Sequence, residues 1–375
     1  MGKGMKVMFL VFHTIVEHSG ISKKILAQVE GLRQNGAQVS LCRLVIDSDG
    51  RKYRALEDEA ICEFGDGLKA KLRKRVDYSD IVKSAIDGGY DLIYIRYDIN
   101  ADPFTVRMMR QFQKNGIRTV VEIPTFPYDG EFKGQGLMMN VQLMIDKLFR
   151  RRFFSYCDRI ILYSGPDTLH SRPVIHISNG VDFNSVPLSH KDACKRDVSG
   201  ELKLLSVANI HLWHGLDRLI RGMAEHKDID CQLHIVGDGV PSIIDSYRSL
   251  AEDLGISDRV KILGPMFGQA LNAEFEWADM AVGSLGRHRS GITSIKTLKN
   301  REYAARGLAF FYSEQDDDFD NAPYVLKVPA DESAIDISSL TDFLSGMSLS
   351  GSEIRESVQG LGWKNQMAKV IEGIS

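Results

Sequence analysis

The stretch from Leu202 to Glu314 constrains this chain most. Five pieces in it, Leu202–Ile220, Leu233–Gly239, Val260–Gly268, Glu276–Gly286 and Leu298–Glu314, each join an apolar run of strand length to a glycine-containing turn or a helix start. Strands that alternate with helical patterns predict a parallel sheet, because a parallel pair needs a long crossover and a helix supplies it. The turns of such a sheet gather along one edge.

The chain has 375 residues, more than one ordinary core accommodates, and this predicts two domains. Hydrophobic residues make up 43% and charged residues 26%, the balance of a globular protein rather than a disordered or fibrous one. A formal net charge of −3 gives no global field for nucleic acid, so an anionic partner has to be met by local groups. The cysteines, Cys42, Cys62, Cys157, Cys194 and Cys231, are odd in number and contain no C-x-x-C pair, which predicts reduced thiols rather than a disulfide framework or zinc site. The apolar run Met5–Val11 is only strand length and leads to His13, not to a signal cleavage site. No run reaches the roughly 18 residues a membrane span needs. A cytoplasmic chain with at most peripheral membrane contact is expected.

Lys6–Phe12 reads as a buried strand, His13–Gly20 as a loop, Ser22–Asn35 as a helix capped by Ser22, and Gln38–Leu44 as the next strand. Further strands are expected at Leu92–Arg96, Arg118–Ile123, Arg159–Tyr163, Val174–Ile177 and Lys203–Val207. The polar run Ser185–Gly200 marks the boundary between a domain at 1–185 and a second at 201–351. The tail 352–375 reads as one or two helices.

Several residues carry chemistry. Lys299, Glu302, Tyr303, Arg306 and Gly307 form one helix-start and helix-stop pattern. Asn209, His211, Trp213, His214 and Gly215 follow the Lys203–Val207 strand. Gly237-Asp238-Gly239 and Gly264 sit at turns after later strands. In order and wording these pieces resemble the nucleotide-sugar-binding domain of GT-B glycosyltransferases, specifically family 4, in a branch with a W-H-G motif found in bacterial surface-polysaccharide loci. The resemblance implies an α/β fold of two Rossmann-like domains whose parallel sheets face each other across a cleft. The N-terminal domain would bind the acceptor and take back the tail 352–375, and 201–351 would bind the donor.

It also implies roles. Glu302 would accept the donor's ribose hydroxyls, since one carboxylate takes two O–H donors. Family members commonly place an Arg and a Lys where this chain has Asn209 and His214. Two permanent charges become an amide and a titratable ring, and His214 would be useful protonated, a state a nearby diphosphate favours. Eight residues before Glu302 the usual carboxylate is replaced by Ser294. Lys296 and Lys299, near a helix N-terminus, would supply the missing positive charge. Gly237 and Gly264 fit donor-binding turns, and Gly20, beside Ser19, would let the first loop approach the diphosphate.

Glu122, at the end of a strand and before the rigid run Pro124–Gly130, is expected to face the acceptor. Arg96-Tyr97-Asp98 is a second lining candidate. Asp47/Asp49 and Asp228/Asp230 have D-x-D spacing but read as turns, so neither a metal nor a resident cofactor is expected. Two basic stretches interleaved with apolar residues, Lys69–Arg75 and Met144–Phe154, are compatible with an anionic membrane surface. The expected activity is sugar transfer from a UDP- or GDP-sugar to a glycan or lipid-diphosphate-linked acceptor, with retention, in surface-polysaccharide synthesis. Another GT-B enzyme, an inverting transferase or an epimerase, and a non-catalytic nucleotide-sugar-binding scaffold remain as alternatives.

Overall fold

The computed structural model describes residues 4–16, 19–129, 136–189 and 200–374. Gly130, Cys194 and most of the run Ser185–Gly200 lie outside the described residues. By its contacts the chain divides into two compact units, Met1–Ser178 with Trp363–Ser375, and Asn179–Gly362. In this division the tail joins the first unit from Trp363, and residues 352–362 pack with the second.

The first unit is built on strands β1 (Lys6–Leu10), β2 (Gln38–Ile46), β3 (Lys52–Leu56), β4 (Glu59–Gly65), β5 (Leu92–Arg96), β6 (Arg118–Glu122), β7 (Arg159–Leu162), β8 (Thr168–Leu169) and β9 (Arg172–His176). Its helices are α1 (Gly20–Gln34), α2 (Gly67–Val76), α3 (Ser79–Asp87), α4 (Pro103–Lys114), α5 (Leu137–Phe154) and the C-terminal helix Trp363–Ile374. The sheet order is β4-β3-β2-β1-β5-β6-β7-β9-β8. From β2 to β9 all neighbours are parallel. The central strands β1 and β5 are buried almost throughout, while β2 and β9 carry polar and exposed residues. The hairpin of β3 and β4 extends the edge antiparallel, an addition to the strands that the apolar runs predict. Asp47 does lie in a turn, where its side chain accepts the Asp49 and Arg51 N–H groups.

One expected cap moves. Helix α1 starts at Gly20, and Ser19 rather than Ser22 is its N-cap. The Ser22 hydroxyl is buried and accepts the Val16 N–H at 2.9 Å, so it is occupied elsewhere. Gly20 is therefore the first helical residue, and a Cβ there would meet open space. Cys42, Cys62, Cys157 and Cys231 are free and buried.

The second unit holds β10 (Leu202–Val207), β11 (Cys231–Val236), β12 (Val260–Gly264), β13 (Met280–Val282), β14 (Phe310–Tyr312) and β15 (Val325–Lys327), in the order β12-β11-β10-β13-β14-β15 and parallel throughout. Helices α6 (Leu216–Glu225), α7 (Pro241–Asp253), α8 (Gly268–Trp277), α9 (Leu298–Ala305), α10 (Ile337–Ser345) and α11 (Gly351–Ser357) complete it. The expected α/β class holds, with a parallel Rossmann-like sheet in each unit. Arg218 of α6 is fully buried and donates to the carbonyls of Ser333 (2.7 Å), Pro329 (2.9 Å) and Leu285, tying two loops to one helix.

Glu122 differs from expectation. It is the last residue of β6 and has no exposed surface. Its carboxylate accepts Tyr163 Oη (2.6 Å), Tyr94 Oη (2.7 Å), Gln28 Nε2 (2.8 Å) and Arg96 Nη1 (2.8 Å), with Lys24 Nζ at 3.3 Å. Burial alone would push the carboxyl up. The Lys24 and Arg96 charges and the tyrosine hydrogen bonds outweigh it and hold the carboxyl at about 2. A carboxylate filled in this way is no acceptor base. Sitting on β6, it joins α1, β5 and the end of β7, because donors from these three converge on it. Glu122→Gln leaves two cations buried without their counter-ion and is expected to lower unfolding free energy by about 3 kcal/mol or more in urea titrations. The wild-type carboxyl titrates below its unfolded value, so its stabilisation is complete above 4.5 and is lost as pH falls towards about 2. The Gln variant should lack that acid slope; a loss under about 1 kcal/mol, or an unchanged slope, would contradict this assignment.

Candidate functional site

The C-terminal edge of the second unit's sheet gathers most of the sequence-derived residues, and ligands of parallel α/β sheets bind at that edge. The chain leaves β10 through Asn209, which is exposed, and forms a 3₁₀ turn at Leu212–His214. Gly215 follows with φ 62°, where a Cβ would lie 2.7 Å from the Gly286 nitrogen. The carbonyls of Trp213 and His214 accept the Gly286 (3.1 Å) and Leu285 (2.9 Å) N–H groups. The turn after β10 is thus clamped on the loop after β13, and only glycine permits the approach.

His214 is buried, and its Nδ1 lies 3.0 Å from the His211 nitrogen and 3.3 Å from the His211 carbonyl oxygen, the shorter contact being one in which the ring accepts the N–H. Burial, then the nearby charges of Lys299 and Arg287, push its pKa well below the ordinary imidazole value. Without a ligand the ring is therefore held neutral and offers a single N–H; the expected protonation concerns the state with a diphosphate beside it. His211 stacks on Trp213 at 4.2 Å between ring centres, and the Arg287 guanidinium lies over the other ring system of that pair at 5.1 Å from the Trp213 centre.

Helix α9 begins at Thr297, whose hydroxyl accepts the Asn300 N–H. Lys299 lies in its first turn, where a cation opposes the positive end of the helix dipole. Its Nζ is buried and has no hydrogen-bond partner. Glu314, just after β14, is 2% exposed, and both of its carboxylate oxygens also lack a partner. Burial lowers the Lys299 pKa and raises that of Glu314, and each charge partly offsets the other's shift. Asn300 Oδ1 and Ser284 Oγ are further buried atoms without partners. The four residues adjoin: the Ser284 carbonyl accepts the Ser313 N–H at 3.0 Å, and a Cβ on Gly283 would lie 3.2 Å from Asn300 Oδ1. Native structures leave few buried polar groups unsatisfied, so such a cluster at a sheet edge marks a place where a polar ligand or water completes the bonding.

The remaining expected residues fall differently. Glu302 lies one turn along α9 with a carboxylate 34% exposed, and it pairs with Arg306 at 2.9 Å. Arg306 in turn covers the Phe275 ring at 3.8 Å. Lys296 is not a free cation: its Nζ meets Asp318 at 3.1 Å. Asp318 and Asp316 also bind the fully buried Arg301, a network that ties α9 to the loop after β14. Ser294 bridges Gln315 in parallel, beside Glu314. Gly237 is required by packing, since at φ 133° its Cβ would fall 1.8 Å from the Ala208 carbonyl oxygen. Gly264 accepts the Gly237 N–H at 2.9 Å, on the strand furthest from β14 among the four concerned. Gly20 and Glu122 belong to the first unit. A cavity of about 270 Å³ against β2 and β3 involves none of these residues, and one of about 410 Å³ beside Ser357–Leu361 touches only Asp318 among them.

The sequence reading missed Arg287 and Glu314. Each had a signal: a basic run, Arg287-His288-Arg289, in the loop that follows a strand, and a carboxylate two residues past the run Phe310–Tyr312. Together, Lys299, the His214 N–H, Asn209 and Glu314 can meet a ligand bearing both anionic oxygens and hydroxyls.

No family model matches the chain, and no curated protein sequence matches it. Solved structures do. Sucrose-phosphate synthase from Thermosynechococcus elongatus is 15% identical with a TM-score of 0.64, covering 99% of this chain and 98% of that one. HepE from Anabaena, in complex with UDP, is 15% identical with a TM-score of 0.62, covering 99% of each chain. The lipopolysaccharide outer core galactosyltransferase WaaB is 13% identical with a TM-score of 0.59, again covering 99% of each. At such identities the likeness establishes architecture: this chain has the GT-B fold.

Proposed function

We propose that the chain is a glycosyltransferase that takes a sugar from a UDP- or GDP-sugar and passes it to a glycan or lipid-diphosphate-linked acceptor in surface-polysaccharide synthesis. The observation that carries this reading is the unpartnered Lys299 ammonium beside the neutral His214 at the C-terminal edge of a GT-B sheet. A buried cation without a counter-ion hydrogen-bonded to it is costly, and a diphosphate would supply the missing acceptors. Lys299 and the His214 Nε2–H take the phosphate oxygens, Asn209 adds an amide, and Glu302 keeps enough exposure to accept ribose hydroxyls.

In the reaction the bond from the sugar's anomeric carbon to the phosphate oxygen breaks, and its electron pair stays on the leaving diphosphate. The acceptor oxygen forms the new bond on the same face, and its proton passes to that diphosphate. No protein base is required, which agrees with Glu122 being held at about 2 inside its own unit. Catalysis then rests on positioning and on the charge facing the leaving group, with no resident cofactor or metal in this scheme.

Nucleotide release from a panel of UDP- and GDP-sugars, with and without a lipid-diphosphate sugar acceptor, tests the reading. One donor should be consumed, and Glu302→Ala should cut kcat/KM about a hundredfold or more. Its melting temperature should fall only modestly, because the buried Arg306 keeps Asn272 at 3.0 Å and the Phe275 ring as partners. Nucleotide binding without release under any acceptor would favour the scaffold reading instead. A second outcome concerns pH. Burial lowers the Lys299 pKa, so its charge is present at low pH and lost as pH rises through that lowered value. The wild-type kcat/KM should therefore decline on the alkaline side below the ordinary lysine range, and Lys299→Arg should remove the decline. An alkaline limb identical in both proteins would remove Lys299 from the site.

A further inference from the structure

Helix α5 carries apolar side chains on two faces, packing Leu143, Phe153 and Phe154 into the core and presenting others outward. Its inward face carries Asp146, fully buried, whose carboxylate accepts Tyr128 Oη (2.9 Å), Tyr97 Oη and the Ala101 N–H (3.2 Å) and meets Arg150 Nε at 3.0 Å. Its outward face carries large apolar side chains: Leu137 is 82% exposed, Met138 81%, Leu148 75% and Met144 65%, with Val141 and Ile145 also exposed. At a helical turn of 100° per residue these six fall within an arc of about 120°. Exposed Arg151 and Arg152 continue the same arc at its C-terminal end, and Lys147 flanks it.

Helix α2 adjoins, with Arg75 Nη2 donating to Gln142 of α5 at 3.3 Å. It exposes Leu68 and Leu72, one turn apart, and carries Lys69, Lys71, Arg73, Lys74 and Arg75 with no acidic residue. Basic and apolar groups are thus concentrated on two adjoining helices of a chain whose net charge is −3. Scattered apolar residues on a surface need no explanation, but a contiguous arc flanked mainly by cations does, even with Lys147 paired to Asp129 at 3.1 Å.

We propose that the outward face of α5, with Leu68 and Leu72 of α2, docks on an anionic lipid bilayer. The apolar arc enters the boundary between headgroups and acyl chains, and the lysines and arginines meet lipid phosphates. The contact is interfacial, since among the described residues no helix is long and apolar enough to cross a membrane. A second copy of this chain fits less well, because the same cations would face each other across a self-interface. The proposal does not depend on the transferase reading, and its test needs no turnover.

Full-length protein is sedimented with vesicles of equal parts phosphatidylcholine and phosphatidylglycerol, and with phosphatidylcholine alone. The wild type should bind the anionic vesicles, should release with added salt, and should bind the neutral ones weakly. Met144→Glu/Leu148→Glu should weaken binding at least about tenfold with an unchanged melting temperature. Arg151→Glu/Arg152→Glu provides a second reading should the first variant unfold, and it too should weaken binding. Absence of wild-type binding, equal binding to both vesicle types, or full binding by the folded variants would overturn the proposal. So would a dimer in solution that the same substitutions dissociate while vesicles remain unbound.

Discussion

A carboxylate cut off from water must be filled with donors or surrender its charge, and this constraint separates structure from function here. Glu122 and Glu314 are both buried at the ends of parallel strands. Glu122 takes the first course: two tyrosines, an amide and two cations saturate it, and it knits one helix to three strands. Glu314 takes neither course fully. Its oxygens lack partners, its pKa is pushed up by burial, and the cation that offsets it, Lys299, is equally unsatisfied. A protein shaped by stability alone would fill or remove such a pair. Its survival at a sheet edge is the physical reason to place ligand chemistry there.

The surroundings are built to hold that edge still. Arg218 grips three loop carbonyls, and Arg301 grips Asp316 and Asp318. The two buried guanidiniums fix the loops after β13 and β14, between which the unsatisfied atoms lie. Gly215 lets the turn after β10 close on the same loop. Positive charge therefore reaches the site from the start of α9 rather than from the turn after β10, where the chain has an amide and a neutral ring. The departure at Asn209 and His214 and the unpartnered Lys299 are two sides of one arrangement.

The frame of the fold was legible because parallel strands buried on both faces must be apolar throughout; β1, β5, β6, β10 and β11 all announce themselves. The β3–β4 hairpin was not, because only four of its twelve residues are buried and its apolar pattern is weak. The cap at Ser19 was hidden by Ser22, which has the right chemistry but spends its hydroxyl on Val16. In the site, position along the chain indicated Lys299, His214 and Glu302. It could not tell a free group from an occupied one. Lys296 and Lys299 look alike in sequence, yet one faces Asp318 and the other has no partner. Glu122 looked like a loop-end base and is a saturated anchor. The state of His214 depended on a local N–H and on cations distant in sequence, which no spacing reveals.

The most direct measurement is hydrogen exchange of the full-length protein with and without UDP, and with and without GDP. The account predicts that one nucleotide slows exchange in residues 209–215, 284–288 and 297–302, the three segments that converge on the Lys299 ammonium, and that Lys299→Ala abolishes the effect. Binding that protects other segments and leaves these three unchanged, or the absence of binding to either nucleotide, would contradict it.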